Sequence, residues 1–265
     1  MTEGLDLDAY LTRIGFEGEQ PPTPDTLARL HRAHALTIPF ENLDILLGRP
    51  ILLDLPSLQA KLVDGRRGGY CFEQNALFAA VLETIGFDVT RLAARVRMGD
   101  VTTHPRTHMV LAVEAGDERW LADVGFGADG LLDPISFAHQ APVHQGAWTF
   151  QLEREGDLFV VRSLHGDAWL DLYAFDMQPQ LPVDYEMANH FTSTWPGSSF
   201  VQHVTVQRPG RDERLVLWER SLLVQRVDSE ERIDVRDPDH LLQILEDRFG
   251  LVFPDGTRFP SGKGS

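Results

Sequence analysis

A cysteine acts as a nucleophile where its surroundings stabilise the thiolate. The stretch Arg67-Gly68-Gly69-Tyr70-Cys71-Phe72-Glu73-Gln74-Asn75 has that character, and it holds the only cysteine in 265 residues. Two glycines precede Cys71. An apolar pattern of helical period follows it through Phe72, Ala76, Ala79, Leu82 and Ile85, and closes at Gly86. Cys71 is therefore expected in the first turn of a helix. Unpaired backbone N–H groups and the positive end of the helix dipole favour an anion there. A thiol so placed is biased toward thiolate, the form that attacks carbonyl carbon. Gly68 and Gly69 are expected to keep the approach to the sulfur open. The plainer alternative is a small, buried, apolar cysteine.

A cysteine nucleophile needs a base, and the base needs a group to orient it. Among ten histidines, His108 is singled out by hairpin geometry. A two-residue turn at Ala115-Gly116 sets Glu114 opposite Asp117, and the same register sets His108 opposite Asp123. Directly opposed residues share a face, with Cβ atoms about 4.5–5.5 Å apart. Asp123 also lies in an apolar run, Trp120-Leu121-Ala122-Asp123-Val124, where a charge is costly unless paired. Taken singly, His108 reads equally as a core histidine and Asp123 as a turn cap.

Other motifs carry less. His31-x-x-His34 presents two imidazoles on one helical face without a third ligand nearby, which reads as surface or helix packing. Pro105 and the strand pattern oppose a helical metal pair at His104 and His108. No metal site is expected. Gly125-Phe126-Gly127-Ala128-Asp129-Gly130 matches G-x-G-x-x-G after a strand, but Leu131-Leu132-Asp133-Pro134 follows in place of a helix. A nicotinamide site is excluded and no bound redox cofactor is expected, although such a loop lets backbone approach a ligand closely.

The elements that must position these residues change character along the chain. Residues 8–14 read as a short helix ending near Gly15. Thr23 caps a helix with Pro24 at its first position, running to about Leu36. Pro39-Phe40-Glu41-Asn42-Leu43 breaks it. Residues 51–55 read as a short extended piece, and Pro56-Ser57 opens a further helix. From residue 92 the period becomes two. Strands are expected at 92–98, 108–114, 117–124, 148–152, 158–163 and 168–172, as an antiparallel sheet or barrel. Pro179 and Pro182 mark a boundary. Then follow a helix at 185–191, strands at 201–208, 214–219 and 222–227, and a final helix capped by Asp237 with Pro238 at its first position.

Composition removes several classes. The net charge of −16 argues against nucleic acid as a partner, which needs a basic face. No apolar run reaches membrane-spanning length. The acidic start Met1-Thr2-Glu3-Gly4-Leu5-Asp6 lacks the basic and apolar regions of a signal peptide. A lone cysteine cannot form an internal disulfide, so a reducing, cytoplasmic setting is expected. Lys61 and Lys263 are the only lysines. Arg66, Arg67, Arg91, Arg95, Arg97 and Arg106 read as solvated surface or as a local rim for an anionic small molecule.

Four pieces together resemble the arylamine N-acetyltransferase family of bacterial type. Residues 67–75 resemble its nucleophile motif, and Pro39-Phe40-Glu41-Asn42-Leu43 its N-terminal signature. Thr107-His108 and Asp123-Val124-Gly125-Phe126-Gly127 resemble the segments carrying its histidine and aspartate. The stretch from Asn189 to Phe200 resembles a later segment, with Trp195 where the family carries a histidine. The resemblance spans about residues 5–250. It implies an α+β fold in three parts: a helical bundle over 1–90 carrying Cys71, an antiparallel β-barrel over 91–180 carrying His108 and Asp123, and an α/β lid over 181–265. The core would be of cysteine-protease-like Cys-His-Asp type. It implies acetyl coenzyme A as co-substrate, and aromatic amines, arylhydrazines or N-hydroxyarylamines as acceptors. Cys71, His108 and Asp123 would form the catalytic triad. Phe40, Phe126 and Phe200 would line the acceptor pocket, and Gly125 and Gly127 would contact the coenzyme. The oligomeric state, including a homo-oligomer, is left open. Three alternatives share these residues: a cysteine hydrolase or transglutaminase-like enzyme, an amide synthase, and a non-catalytic protein that binds an aromatic ligand or coenzyme A.

Overall fold

The structure is a computed structural model that describes residues 4–100 and 104–260. Met1 to Glu3 and Lys263 lie outside the described residues. The N-terminal third is helical. Helix α1 (Leu7–Ile14) is capped by Asp6 and closed by Gly15 in the left-handed region. Helix α2 (Pro24–Thr37) starts with the Thr23 cap and Pro24. A two-residue strand β1 (Phe40–Glu41) and one-turn helix α3 (Leu43–Leu46) follow. Helix α4 (Leu55–Leu58) widens directly into a π-helical turn (Gln59–Asp64). Helix α5 (Cys71–Ile85) starts at the cysteine and ends at Gly86, again left-handed. Residues 51–54 form no strand. They have no ladder partner, and the Ile51 carbonyl accepts a hydrogen bond from Asn189 instead.

Eight antiparallel strands curl into a nearly closed barrel in the order β5-β4-β3-β2-β9-β8-β7-β6. They are β2 (Asp88–Val96), β3 (His108–Ala115), β4 (Glu118–Ala122), β5 (Ile135–Ser136), β6 (Val143–Gln145), β7 (Trp148–Glu155), β8 (Leu158–His165) and β9 (Ala168–Pro179). The two edges are tied by Gln145, whose side chain bonds the backbone of Leu132 and Asp133. Alternation sends Val110, Ala112 and Leu121 into the barrel. Met109, Leu111, Val113 and Ala122 face the helical core.

The rest is α6 (Pro182–Thr194), α7 (Ser199–Gln202), β10 (Thr205–Arg208), β11 (Glu213–Trp218), β12 (Ser221–Arg226), β13 (Glu230–Asp234) and α8 (Pro238–Phe249). The five-stranded sheet has the order β1-β10-β11-β12-β13, so Phe40–Glu41 of the N-terminal region forms its edge. The expected strand over 201–208 is only half a strand. Asn42 accounts for the difference: its side chain bonds the carbonyls of Phe200 and His203 and the N–H of Thr205, closing α7 before β10 starts.

The hairpin carrying His108 and Asp123 also differs in detail. Glu114 pairs with Arg119 and Ala115 with Glu118, so the turn residues are Gly116 and Asp117. The turn sits one residue later than expected, and every cross-strand partner shifts by two. A shift of two preserves side-chain parity. His108 and Asp123 therefore stay on one face as diagonal neighbours, with Asp123 just past the end of β4.

Candidate active site

Cys71, His108 and Asp123 come together where α5, the start of β3 and the end of β4 meet. They are 4%, 2% and 0% exposed. The Cys71 Sγ lies 3.5 Å from the Thr107 carbonyl oxygen. His108 Nε2 is 2.7 Å from Asp123 Oδ2. With Nε2 engaged, Nδ1 is the ring nitrogen left for the thiol. Asp123 is held on every side: Oδ1 accepts from Asn75 Nδ2 and from the Gly125 N–H, each at 2.9 Å. Asn75 also bonds the Met109 carbonyl at 2.7 Å and the Val124 N–H at 3.1 Å, so one amide fixes both strand ends.

The electrostatics follow from burial and pairing. Burial alone would lower the His108 pKa, but the Asp123 carboxylate and the Cys71 side chain raise it to about 10. Burial alone would raise Asp123, but His108, Asn75 and the Gly125 N–H hold it below the ordinary carboxylate value. Imidazolium and carboxylate thus stabilise each other in a buried site.

The loop ahead of Cys71 is fixed by buried charge. Arg67 bonds Glu41 at 2.6 Å and Asp44 at 3.3 Å. Lys61 bonds Asp44 at 2.9 Å and Glu73 at 2.7 Å. Burial pushes the Glu73 carboxyl up to about 7 despite Lys61. Glu73 also accepts the Tyr70 N–H at 3.1 Å, half of a capping box at the start of α5. Gly68 and Gly69 are packed closely against their neighbours. A Cβ on Gly68 would sit 2.1 Å from the Pro39 oxygen, and one on Gly69 would sit 2.8 Å from Glu73 Oε2. Their role is close packing of this loop.

Phe126 lies 5.2 Å, ring to ring, from His108 and 5.0 Å from Tyr173, whose own ring is 4.8 Å from His108. Phe40 and Phe200 pack together at 5.8 Å, and Phe200 meets Tyr70 edge-on at 5.8 Å. Gly125 and Gly127 press on the protein's own atoms. A Cβ on Gly125 would lie 2.8 Å from Cys71 Cα, and one on Gly127 would lie 2.6 Å from Gln207 Oε1. Trp195 is exposed and stacks on Phe191 at 5.1 Å.

Of Arg66, Arg67, Arg91, Arg95, Arg97 and Arg106, Arg66 is exposed and the other five are engaged within the protein, Arg67 as described above. Arg91 pairs with Glu83, Arg97 with Glu155 and Asp171, and Arg106 with Asp176. Arg95 bonds the His104 carbonyl. Among the described residues no group of three or more His, Cys, Asp or Glu could hold a metal ion. Nor is any described helix long and apolar enough to cross a membrane. His31 and His34 are fully buried, so neither is a surface residue. Asn75 stands four positions after Cys71 on the same helical face, which places it beside the cysteine in the sequence pattern. Tyr173 and His31 reach the site from distant segments, and the His31-x-x-His34 spacing does not tell that His31 meets Asp123.

A family model described as N-acetyltransferase matches residues 23–257. The arylamine N-acetyltransferase of Mycolicibacterium smegmatis is 42% identical over 258 residues, covering 95% of this chain and 94% of the relative. The crystal structure of the Nocardia farcinica arylamine N-acetyltransferase superposes with a TM-score of 0.90 at 43% identity, covering 96% of this chain and 92% of that one. The Mycobacterium marinum arylamine N-acetyltransferase in complex with CoA superposes with a TM-score of 0.87 at 38% identity, covering 93% of each chain. Matched along nearly its whole length in both sequence and fold, this chain belongs to the arylamine N-acetyltransferase family of acyltransferases.

Proposed function

We propose that this protein moves an acetyl group from acetyl coenzyme A to the nitrogen of an aromatic amine or arylhydrazine, or to the oxygen of an N-hydroxyarylamine, through an acetyl thioester on Cys71. The observation that carries this is the buried line from Cys71 through His108 to Asp123. Coenzyme A as the donor carrier is supported by the M. marinum relative, whose structure is in complex with CoA.

His108 holds the Cys71 proton as an imidazolium, and the paired thiolate attacks the acetyl carbonyl. Charge developing on the carbonyl oxygen meets the N–H groups at the start of α5. The tetrahedral intermediate collapses, coenzyme A leaves as a thiol with a proton from His108, and acetyl-Cys71 remains. The acceptor amine then attacks that thioester, and His108 removes the proton that nitrogen loses as the amide forms. Asp123 orients the ring and stabilises its charged form in both halves. Aromatic amines carry little charge at neutral pH, so they attack without prior deprotonation. Phe126 beside His108, and the Phe40–Phe200 pair near Tyr70, supply the apolar surface for the acceptor. Gly125 and Gly127 lie buried on the loop past Asp123, the loop whose backbone would meet the coenzyme. Residues 181–265 serve as the lid that limits hydrolysis of the thioester.

Initial rates with acetyl coenzyme A and a primary aromatic amine test the order of events. Two half-reactions through a covalent intermediate give parallel double-reciprocal lines. Intersecting lines, with the acetyl group passing directly between bound substrates, would contradict the proposal.

A further inference from the structure

Helix α2 carries two buried histidines one turn apart, and each grips a different wall of the site. The His31 Nε2 accepts the backbone N–H of Asp123 at 3.0 Å, and its Nδ1 lies 3.0 Å from the Leu132 carbonyl. A backbone N–H only donates and a carbonyl only accepts. His31 is therefore neutral, with its proton on Nδ1. The His34 Nε2 lies 3.2 Å from Gln74 Oε1, and its Nδ1 lies 2.7 Å from the Tyr10 hydroxyl. Gln74 in turn donates from Nε2 to the Gly69 carbonyl at 2.8 Å, two residues before Cys71. The His34 Nε2 therefore carries a proton for Gln74, the Tyr10 hydroxyl can donate to Nδ1, and the neutral ring, which burial favours, is then the opposite tautomer. Both rings pack edge-on against Phe78 of α5, at 5.8 Å and 5.4 Å.

We infer that His31 and His34 are neutral positioning residues, and that α2 acts through them as a rigid spacer setting the Asp123 loop against the Cys71 loop. Each arm ends on or near a member of the Cys71–His108–Asp123 line: His31 on Asp123 itself, His34 through Gln74 on Gly69, two residues before Cys71. The neutral state is consistent with burial, which lowers both rings, His34 to about 3. Asp133, Asp123 and His34 face His31, while His31 and Arg13 face His34. Protonation would leave the Asp123 N–H without an acceptor and release the aspartate that holds His108. The inference rests on the Cys71–His108–Asp123 reading.

The test is NMR of protein labelled with 15N in its imidazoles. In the wild type, His31 should show the Nδ1–H tautomer and His34 the Nε2–H tautomer, with neither titrating from roughly pH 5 to 9. Either ring found protonated or in the reverse tautomer overturns the inference without any substitution. Variants then separate it from the reading beneath it. Asp123→Asn should bring His108 down to or below its ordinary value, and if it does not, the triad reading fails and the inference with it. His31→Leu should lower the His108 pKa by about one unit or more and cut kcat by about a hundredfold. His31→Gln restores an acceptor for the Asp123 N–H and should recover most of both. If Asp123→Asn moves His108 while His31→Leu only lowers thermal stability, leaving the His108 titration and kcat unchanged, His31 is structural and the inference is overturned.

Discussion

At Asp123 a fully buried carboxylate accepts hydrogen bonds from His108, Asn75 and the Gly125 N–H. Those bonds hold it ionised in a place where an unpaired charge could not persist. The same pairing makes stability depend on pH in a defined direction. The His108 pKa is raised from 6.5 to about 10, so the protonated ring stabilises the fold. That contribution is complete below pH 6.5 and is lost as pH rises through about 10. Asp123 is depressed below 3.8, so its contribution is present above that pH and is lost as pH falls through its folded value. Melting temperatures of the wild type should therefore decline between about pH 7 and 10 more steeply than those of His108→Gln. Equal slopes would mean that the pair does not couple to folding. The pairing itself was legible in the sequence despite a misplaced turn. Parity decides which face a strand residue occupies, and moving a two-residue turn by one position shifts partners by two. The supports of Asp123 were less legible. His31 is 92 residues away, and nothing local marks a histidine as the acceptor for a distant N–H.

Among the elements, α5 carries the most information in its own sequence. Gly-Gly before it, Glu73 at its third position, apolar residues at helical spacing and Gly86 beyond its end all specify the same helix. Elements that depend on a partner were missed. Strand β1 exists only because β10 pairs with it, and α7 ends where Asn42 reaches across. The π-helical turn before the Cys71 loop also has no sequence signature, although Lys61 within it pairs with Glu73. Close contact between elements gives a direct test at Gly125. A Cβ there would lie 2.8 Å from both Cys71 Cα and Asn75 Nδ2, and 3.1 Å from the Cys71 oxygen. Backbone on one side leaves no flexible group to yield. Gly125→Ala should destabilise by about 1–3 kcal/mol in urea unfolding, and should slow acetyl transfer through displacement of α5 from the Asp123 loop. Unchanged stability and rate would show that α5 and the loop have room to separate.

Across the whole molecule, three apolar cores meet near the cysteine. Cys71 belongs to the helical core, Phe126 and Tyr173 to the barrel interior, and β10 beside Phe40 to the core of the C-terminal sheet. The N-terminal region supplies both Cys71 and an edge strand of the C-terminal sheet. On a protein with a net charge of −16, the neutral aromatic acceptor proposed above would be drawn in by apolar contact rather than by charge. The central claim is that Cys71 itself carries the acetyl group between substrates. Intact mass after brief mixing with acetyl coenzyme A, followed by peptide mapping, tests it most directly. One acetyl group should appear, on Cys71, and disappear when an aromatic amine is added. It should be absent in Cys71→Ser. A protein that turns over acetyl coenzyme A and amine while Cys71 remains unmodified, or one acetylated elsewhere with Cys71 free, would contradict the account.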